Sequence, residues 1–239
     1  MAGGGIMELK DRLIIALDYS DEAKALELVS LTREYAGVYK VGFELFVSAG
    51  PGIVKKLTAL GGKVFLDLKF HDIPNTVAQA SGAAAALGVL MFNVHASGGI
   101  DMMKKAADEA AKGGKDSPLV LGVTVLTSMN DRVLKEELGL PLGANAQALK
   151  LAKLAKEAGL DGVVCSGQEI KAIKEACGKD FKLVVPGVRP AWAAGDDQKR
   201  IITPREAIAA GADYIVIGRP ITKANDPKTA AKRVLEELQ

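Results

Sequence analysis

Cysteine is nearly absent. Cys165 and Cys177 are the only two in 239 residues, and they do not share a CxxC spacing. That usage excludes a disulfide framework or zinc ribbon and fits a reducing, cytoplasmic setting. Charge of one sign is also missing: 31 basic against 29 acidic residues leave +2. A nucleic-acid or membrane-surface partner calls for clustered excess positive charge, so neither is expected. No apolar run approaches the roughly 18–20 residues of a membrane span. The opening MAGGGIMELK has no apolar signal-peptide core and reads as a flexible N-terminal extension, 1–10, ahead of a single domain over 11–239. Nucleotide-loop motifs are lacking as well. Both GGK runs continue to Val or Asp rather than Ser or Thr, and no GxGxxG follows the first strand.

What is present is a steady alternation of short apolar, β-branched runs and helical patterns. The runs predict strands at 12–18, 38–42, 63–69, 90–95, 119–127, 162–165, 182–185 and 214–218. Between and after them lie stretches such as NAQALKLAKLAKEAG and PKTAAKRVLEELQ, with apolar residues three and four apart. Eight βα units without a break in composition predict one α/β domain, a (β/α)₈ TIM barrel, for which a length of about 250 residues is ordinary. An open doubly wound sheet has the same alternation and stays open as the alternative. Gly159 and Gly211 each end a helical stretch ahead of a strand, where a left-handed cap is expected.

Active sites of such barrels lie at the C-terminal ends of the strands. The polar residues gather there: Asp18, Lys40, Asp67, Lys69, Asn93, His95, Thr127, Ser128, Arg189 and Arg219 all stand at or just past a strand end. The densest group is KVFLDLKFHDIPNT, residues 63–76. Alternation along a strand puts Val64, Leu66, Leu68 and Phe70 on one face and Phe65, Asp67 and Lys69 on the other. The first set is apolar and packs on helices; the second points into the barrel mouth. Asp72 lies past the strand, and Pro74 suits the first turn of the next helix. Buried charges require partners. Lys40, from the neighbouring strand, completes an alternating Lys–Asp–Lys–Asp array in which every charge has opposite neighbours. An ammonium held among carboxylates is a fixed proton donor and a cationic stabiliser for a developing carbanion. A structural ion pair at the rim is the plainer reading of the same spacing.

The run DLKFHDIPNT resembles the D-x-K-x-x-D-I-P-x-T signature of the orotidine 5′-phosphate decarboxylase family. IALDYS, YKVGFELF, NVHASGG, VTVLTSM, VPGVRP and IVIGRPI extend the resemblance, in order, from about Arg12 onward. The resemblance implies conversion of orotidine 5′-monophosphate (OMP) to UMP and CO₂, the last step of de novo UMP synthesis, without metal or cofactor. It implies that Lys69 protonates C6 of the pyrimidine and that Lys40, Asp67 and Asp72 complete the charged network, Asp72 reaching into a partner's site in a homodimer. Asp18 and Lys40 match residues at the ribose hydroxyls, and Thr76 one near the phosphoribosyl group, with Ile73 in the same substrate-binding set. Thr127 and Ser128 fall where the pyrimidine is read; Arg189, Gln198, Gly218 and Arg219 match the phosphate-gripping residues. Magnesium-dependent relatives on the same barrel carry a glutamate in place of Lys40, and a lysine there repels a dication.

Two expectations come from the residues themselves. Loops after strands 7 and 8 of such barrels often hold phosphate on backbone N–H groups, and Gly218-Arg219 offers close approach and a planar fork. The stretch PGVRPAWAAGDDQKRIIT shows no helical pattern and is long for a compact domain, which predicts a lid; on it the resemblance implies Gln198 as a bridge between phosphate and base, and Trp192 reads as a loop anchor or an exposed aromatic.

Overall fold

A computed structural model describes residues 8–193 and 202–239. Residues 1–7 of the expected flexible extension, the middle of the predicted lid (194–201) and Gln198 within it therefore lie outside the described residues. Eight parallel strands close into a barrel in simple sequence order: β1 (Leu13–Ala16), β2 (Val38–Val41), β3 (Lys63–Phe70), β4 (Met91–His95), β5 (Leu119–Val123), β6 (Gly162–Val164), β7 (Lys182–Val185) and β8 (Tyr214–Ile217). Pairing of Leu13 with Ile215 and of Ile15 with Ile217 joins the last strand to the first. An open sheet would leave those edges unpaired, so the doubly wound alternative is excluded.

The helices are α1 (Glu22–Thr32), α2 (Phe43–Ala49), α3 (Gly52–Ala59), α4 (Pro74–Ala86), α5 (Ile100–Ala110), α6 (Ala144–Glu157), α7 (Ile170–Cys177), α8 (Pro204–Ala210), α9 (Arg219–Thr222) and α10 (Pro227–Glu237). Their starts follow local chemistry. Asp21 and Asp226 cap α1 and α10 with side-chain oxygens, and Thr203 with Glu206 forms a capping box on α8. Proline takes the first position of α4, where its missing N–H is not needed. Gly159 and Gly211 have φ of +83° and +114°, the backbone that ends a helix and that side chains resist. Leu9–Arg12 forms one 3₁₀ turn beneath the barrel, where the Lys10 carbonyl accepts the Gly37 N–H at 2.9 Å.

Strand alternation separates two cores. Ile14, Val38, Phe65, Met91, Leu121 and Val184 fill the barrel interior. Ile15, Tyr39, Leu66, Phe92, Leu183 and Ile217 pack outward beneath the helices. The predicted outward face of β3 holds: Val64 and Leu66 are buried in the outer core, and Leu68 and Phe70 pack against it. One step above the interior floor the same parity delivers polar groups, because Ala16 is followed two residues later by Asp18, Val38 by Lys40, Phe65 by Asp67 and Met91 by Asn93.

Six strands are shorter than their predicted runs, β5 and β1 by the most. Residues 124–127 follow β5 without belonging to it, since Val125, Leu126 and Thr127 line a cavity rather than a neighbouring strand. Leu17 still donates its N–H to the Lys40 carbonyl, but β1 ends at Ala16 and Asp18 stands on the loop beyond. Apolar composition marks burial, not pairing. Among the described residues no helix is long and apolar enough to cross a membrane.

Candidate active site

At the C-terminal mouth, four charges from three adjacent strand ends alternate in sign. Lys40 Nζ lies 3.0 Å from Asp18 Oδ1 and 3.4 Å from Asp67 Oδ2, and Lys69 Nζ lies 2.7 Å from Asp67 Oδ1. Asp67 is 8% exposed, so its charge depends on these partners rather than on water. The group stands on a cavity of about 180 Å³ lined by Lys40, Phe65, Asp67, Lys69, Thr127 and Val216, among others. A wider groove of about 1050 Å³ spreads over the loops after β5, β6 and β7. The two share Val125, Leu126, Thr127 and Pro186, so the charged pocket opens into the groove. The ammonium groups lie only in the smaller space, and chemistry by charge belongs there.

The geometry rests on an irregularity in β3. Leu66 pairs with Phe92 and Phe70 with Val94, so four steps along β3 span two along β4. This bulge frees Asp67, Leu68 and Lys69 from regular register. Within it Lys69 has φ of +47°, the only positive φ outside glycine among the described residues. That region costs a side-chain-bearing residue about 1–2 kcal/mol and persists where the surroundings enforce it. The Lys69 N–H donates to Asn93 Oδ1 at 2.8 Å, and Asn93 Nδ2 donates to Asp67 Oδ1 at 2.7 Å. Asn93 is 1% exposed. In the sequence it stood only among the polar strand ends, and its bonding partners had no signal there. The Phe43 ring, at the start of α2, lies 5.2 Å from Lys69 Nζ, within the range of a cation–π contact.

The other sequence-predicted residues sit around this centre. Thr127 lines both cavities, while Ser128 is exposed on the same loop. A side chain built on Gly218 would meet Asp18 at 3.9 Å, which puts the β8 end beside the charged group. Arg219 is exposed at the first residue of α9, and Arg189 is half-buried, its N–H donating to the Ile202 carbonyl at 3.1 Å. Neither arginine makes an ion pair among the described residues. Asp72, Ile73 and Thr76 lie at the head of α4, all exposed. The Asp72 carboxylate accepts the Ile73 N–H at 2.6 Å and joins neither lysine of its own chain. Trp192 packs against the outer core with the Arg233 guanidinium 4.4 Å from its ring, so of its two readings the loop anchor holds and the exposed aromatic does not.

The two histidines meet beside Lys69, with ring centres 5.3 Å apart. Burial pushes the pKa of His95 down, and the positive fields of His71 and Lys69 add to this against a smaller opposing pull from Asp67. Cys165, at the end of β6, is buried, and its thiol pKa is driven up by desolvation. It is an inert core residue, as its apolar run implied.

Comparison with known proteins agrees with this arrangement. Residues 11–234 match the model of the orotidine 5′-phosphate decarboxylase / HUMPS family. The orotidine 5′-phosphate decarboxylase of Pseudoalteromonas translucida is 55% identical over 232 residues, 97% of this chain and 99% of the relative. That of Nitrosococcus oceani is 54% identical over 229 residues, 96% of this chain and 98% of the relative. Among solved structures, orotidine 5′-phosphate decarboxylase from Lactobacillus acidophilus superposes with a TM-score of 0.85 at 43% identity, covering 96% of this chain and 99% of that one. With a closed barrel, the charged strand ends and near-complete coverage at half identity in agreement, this chain belongs to the orotidine 5′-phosphate decarboxylase / HUMPS family.

Proposed function

We propose that this chain is an orotidine 5′-phosphate decarboxylase, a carboxy-lyase that converts OMP to UMP and CO₂ in the last step of de novo UMP synthesis. The observation that carries the reading is the alternating group Asp18–Lys40–Asp67–Lys69 at the barrel mouth. Two ammonium groups flanking a nearly buried carboxylate suit a reaction whose difficulty is a carbanion. Lys40 also occupies the position at which magnesium-dependent relatives need an anionic ligand, and a cation there opposes metal binding.

In this reading the C6–carboxylate bond of the bound pyrimidine breaks heterolytically, CO₂ leaves, and the electron pair stays on C6. The Lys69 ammonium stabilises that pair and then delivers its proton to C6, giving UMP. Asp67, beside the departing carboxylate, holds Lys69 in place. Asp18 and Lys40 bind the ribose hydroxyls, Thr127 and Ser128 read the pyrimidine, and Thr76 and Ile73 border the phosphoribosyl group. Arg189, Gln198, Arg219 and the Gly218 backbone grip the phosphate, and this remote binding positions the reacting ring. No metal or cofactor takes part.

Asp72 acts in the site of a second copy. Support for a homodimer comes from its lack of a cationic partner among the described residues and from exposed apolar side chains: Ile73, next to it, at 67%, and Phe43 and Val47 on α2 at 56% and 81%. We take 11–239 as the catalytic domain and the cytoplasm as its location.

The test is the fall in ultraviolet absorbance on adding OMP to purified protein, with and without EDTA. Wild type turns over in both, and Lys69→Ala loses at least about 10³-fold in kcat, the scale of a lost proton donor together with its charge. Turnover abolished by the chelator, or undiminished in the variant, refutes the mechanism.

A further inference from the structure

We infer that Asn93 is a positioning residue for the decarboxylation proposed above, on which this inference rests: its side chain holds Lys69 and Asp67 in their reacting arrangement. Three observations converge on it. The β3 bulge leaves the Lys69 N–H outside the regular ladder, and Asn93 Oδ1 accepts it at 2.8 Å in the place of a main-chain carbonyl. The same amide donates from Nδ2 to Asp67 Oδ1 at 2.7 Å, the oxygen that also receives Lys69 Nζ at 2.7 Å. The residue so clamped is the one with a positive φ outside glycine, a backbone state that relaxes unless something holds it.

An amide is the side chain that can do both tasks at once, since it carries an acceptor and a donor on one rigid plane. A carboxylate would accept from Lys69 but repel Asp67, and an apolar group would leave the Lys69 N–H unpaired and take one of two donors from Asp67 Oδ1, in a site that is 1% exposed at Asn93. By bridging the backbone of one charged residue to the side chain of the other, Asn93 sets the distance between them before substrate arrives. It faces the interior one layer above Met91 and touches the pair from the β4 side, away from the β8 end where Arg219 stands. Its removal therefore acts on the chemical step and spares the phosphate grip.

Asn93→Leu, similar in size, and Asn93→Ser, smaller and with a hydroxyl too short to span both partners, are compared with wild type in the OMP assay. Folded fraction is read from circular dichroism and thermal unfolding, so that kcat is expressed per folded molecule. The expected result is a loss of about 10²-fold in kcat, the scale of a reacting group displaced by an ångström, with KM within about threefold. Should Asn93→Leu fail to fold, Asn93→Ser gives the same reading. A kcat per folded molecule within threefold of wild type in Asn93→Ser, or a loss carried mainly by KM, overturns the inference, because a merely structural asparagine lowers the amount of folded protein and not its turnover. Wild type without activity on OMP instead overturns the decarboxylase reading itself.

Discussion

Lys69 and Asp67, two positions apart on one strand, meet at 2.7 Å because β3 bulges between Leu66 and Phe70. On a regular strand, residues two apart are separated by about 6.5 Å along the axis, and their side chains stand parallel. The bulge and the positive φ of Lys69 turn the ammonium back over the carboxylate. A contact that resembles a local ion pair is thus a product of strand register, and the strain it stores is met by Asn93.

The proposed sharing of Asp72 between two copies of the chain is open to a mixing experiment. Lys69→Ala and Asp72→Ala homodimers are each expected to be inactive. Co-refolded together, they should recover about a quarter of wild-type activity, the share of intact sites that a two-fold dimer rebuilds at random. Recovery is measured on OMP after equal mixing. No recovery places Asp72 in its own chain's site or outside the chemistry.

The phosphate end should respond differently from the charged centre. Arg219→Ala removes the charge-assisted contact proposed with the phosphate and is expected to lower kcat/KM by about 10- to 100-fold, mostly through KM. Steady-state kinetics on OMP check this. A kcat/KM within threefold of wild type would remove Arg219 from the phosphate grip.

Asp213 offers the contrast at the opposite end of the barrel. Its carboxylate accepts from Lys174 Nζ at 2.8 Å, from the Leu183 N–H at 2.9 Å and from Lys182 Nζ at 3.4 Å. Asp213→Ala leaves these donors facing one another and is expected to cost about 2–3 kcal/mol of stability. Turnover per folded molecule should be unchanged, since the N-terminal face of such a barrel carries stability and not chemistry. Denaturant unfolding and the OMP assay on the same sample separate the two.

His95 makes stability depend on pH. Burial, with His71 and Lys69, holds its pKa below the ordinary value, so the folded chain keeps it neutral where the unfolded chain is protonated. As pH falls through about 6.5 the unfolded state takes up the proton first, and stability declines with decreasing pH. His95→Gln should flatten that decline between about pH 7 and 5. Thermal unfolding across that range tests it, and an unchanged slope would assign the titration to other groups.

Much of this molecule was readable before its structure. Each predicted strand is present, and the apolar face Val64, Leu66, Leu68 and Phe70 packs outward as alternation requires. Asp18, Lys40, Asp67 and Lys69 were picked out as strand-end charges and are joined by direct contacts. The readings that stretched too far, such as a β5 reaching residue 127, failed because apolar residues that line a cavity look like those that fill a sheet. Asn93 was visible only as a polar strand end, since composition says nothing about hydrogen-bond partners.

The sequence by itself determined the eightfold alternation, the sorting of polar groups to one end of the strands and the likeness to a single enzyme family, because periodicity and motif spacing are local properties of the chain. Tertiary structure alone decided that β8 closes on β1, that β3 bulges against β4, and that Asn93 ties the Lys69 backbone to the Asp67 carboxylate. Each of these depends on register between separately folded segments. Register is set by the packing of the whole barrel, and no stretch of sequence carries it alone.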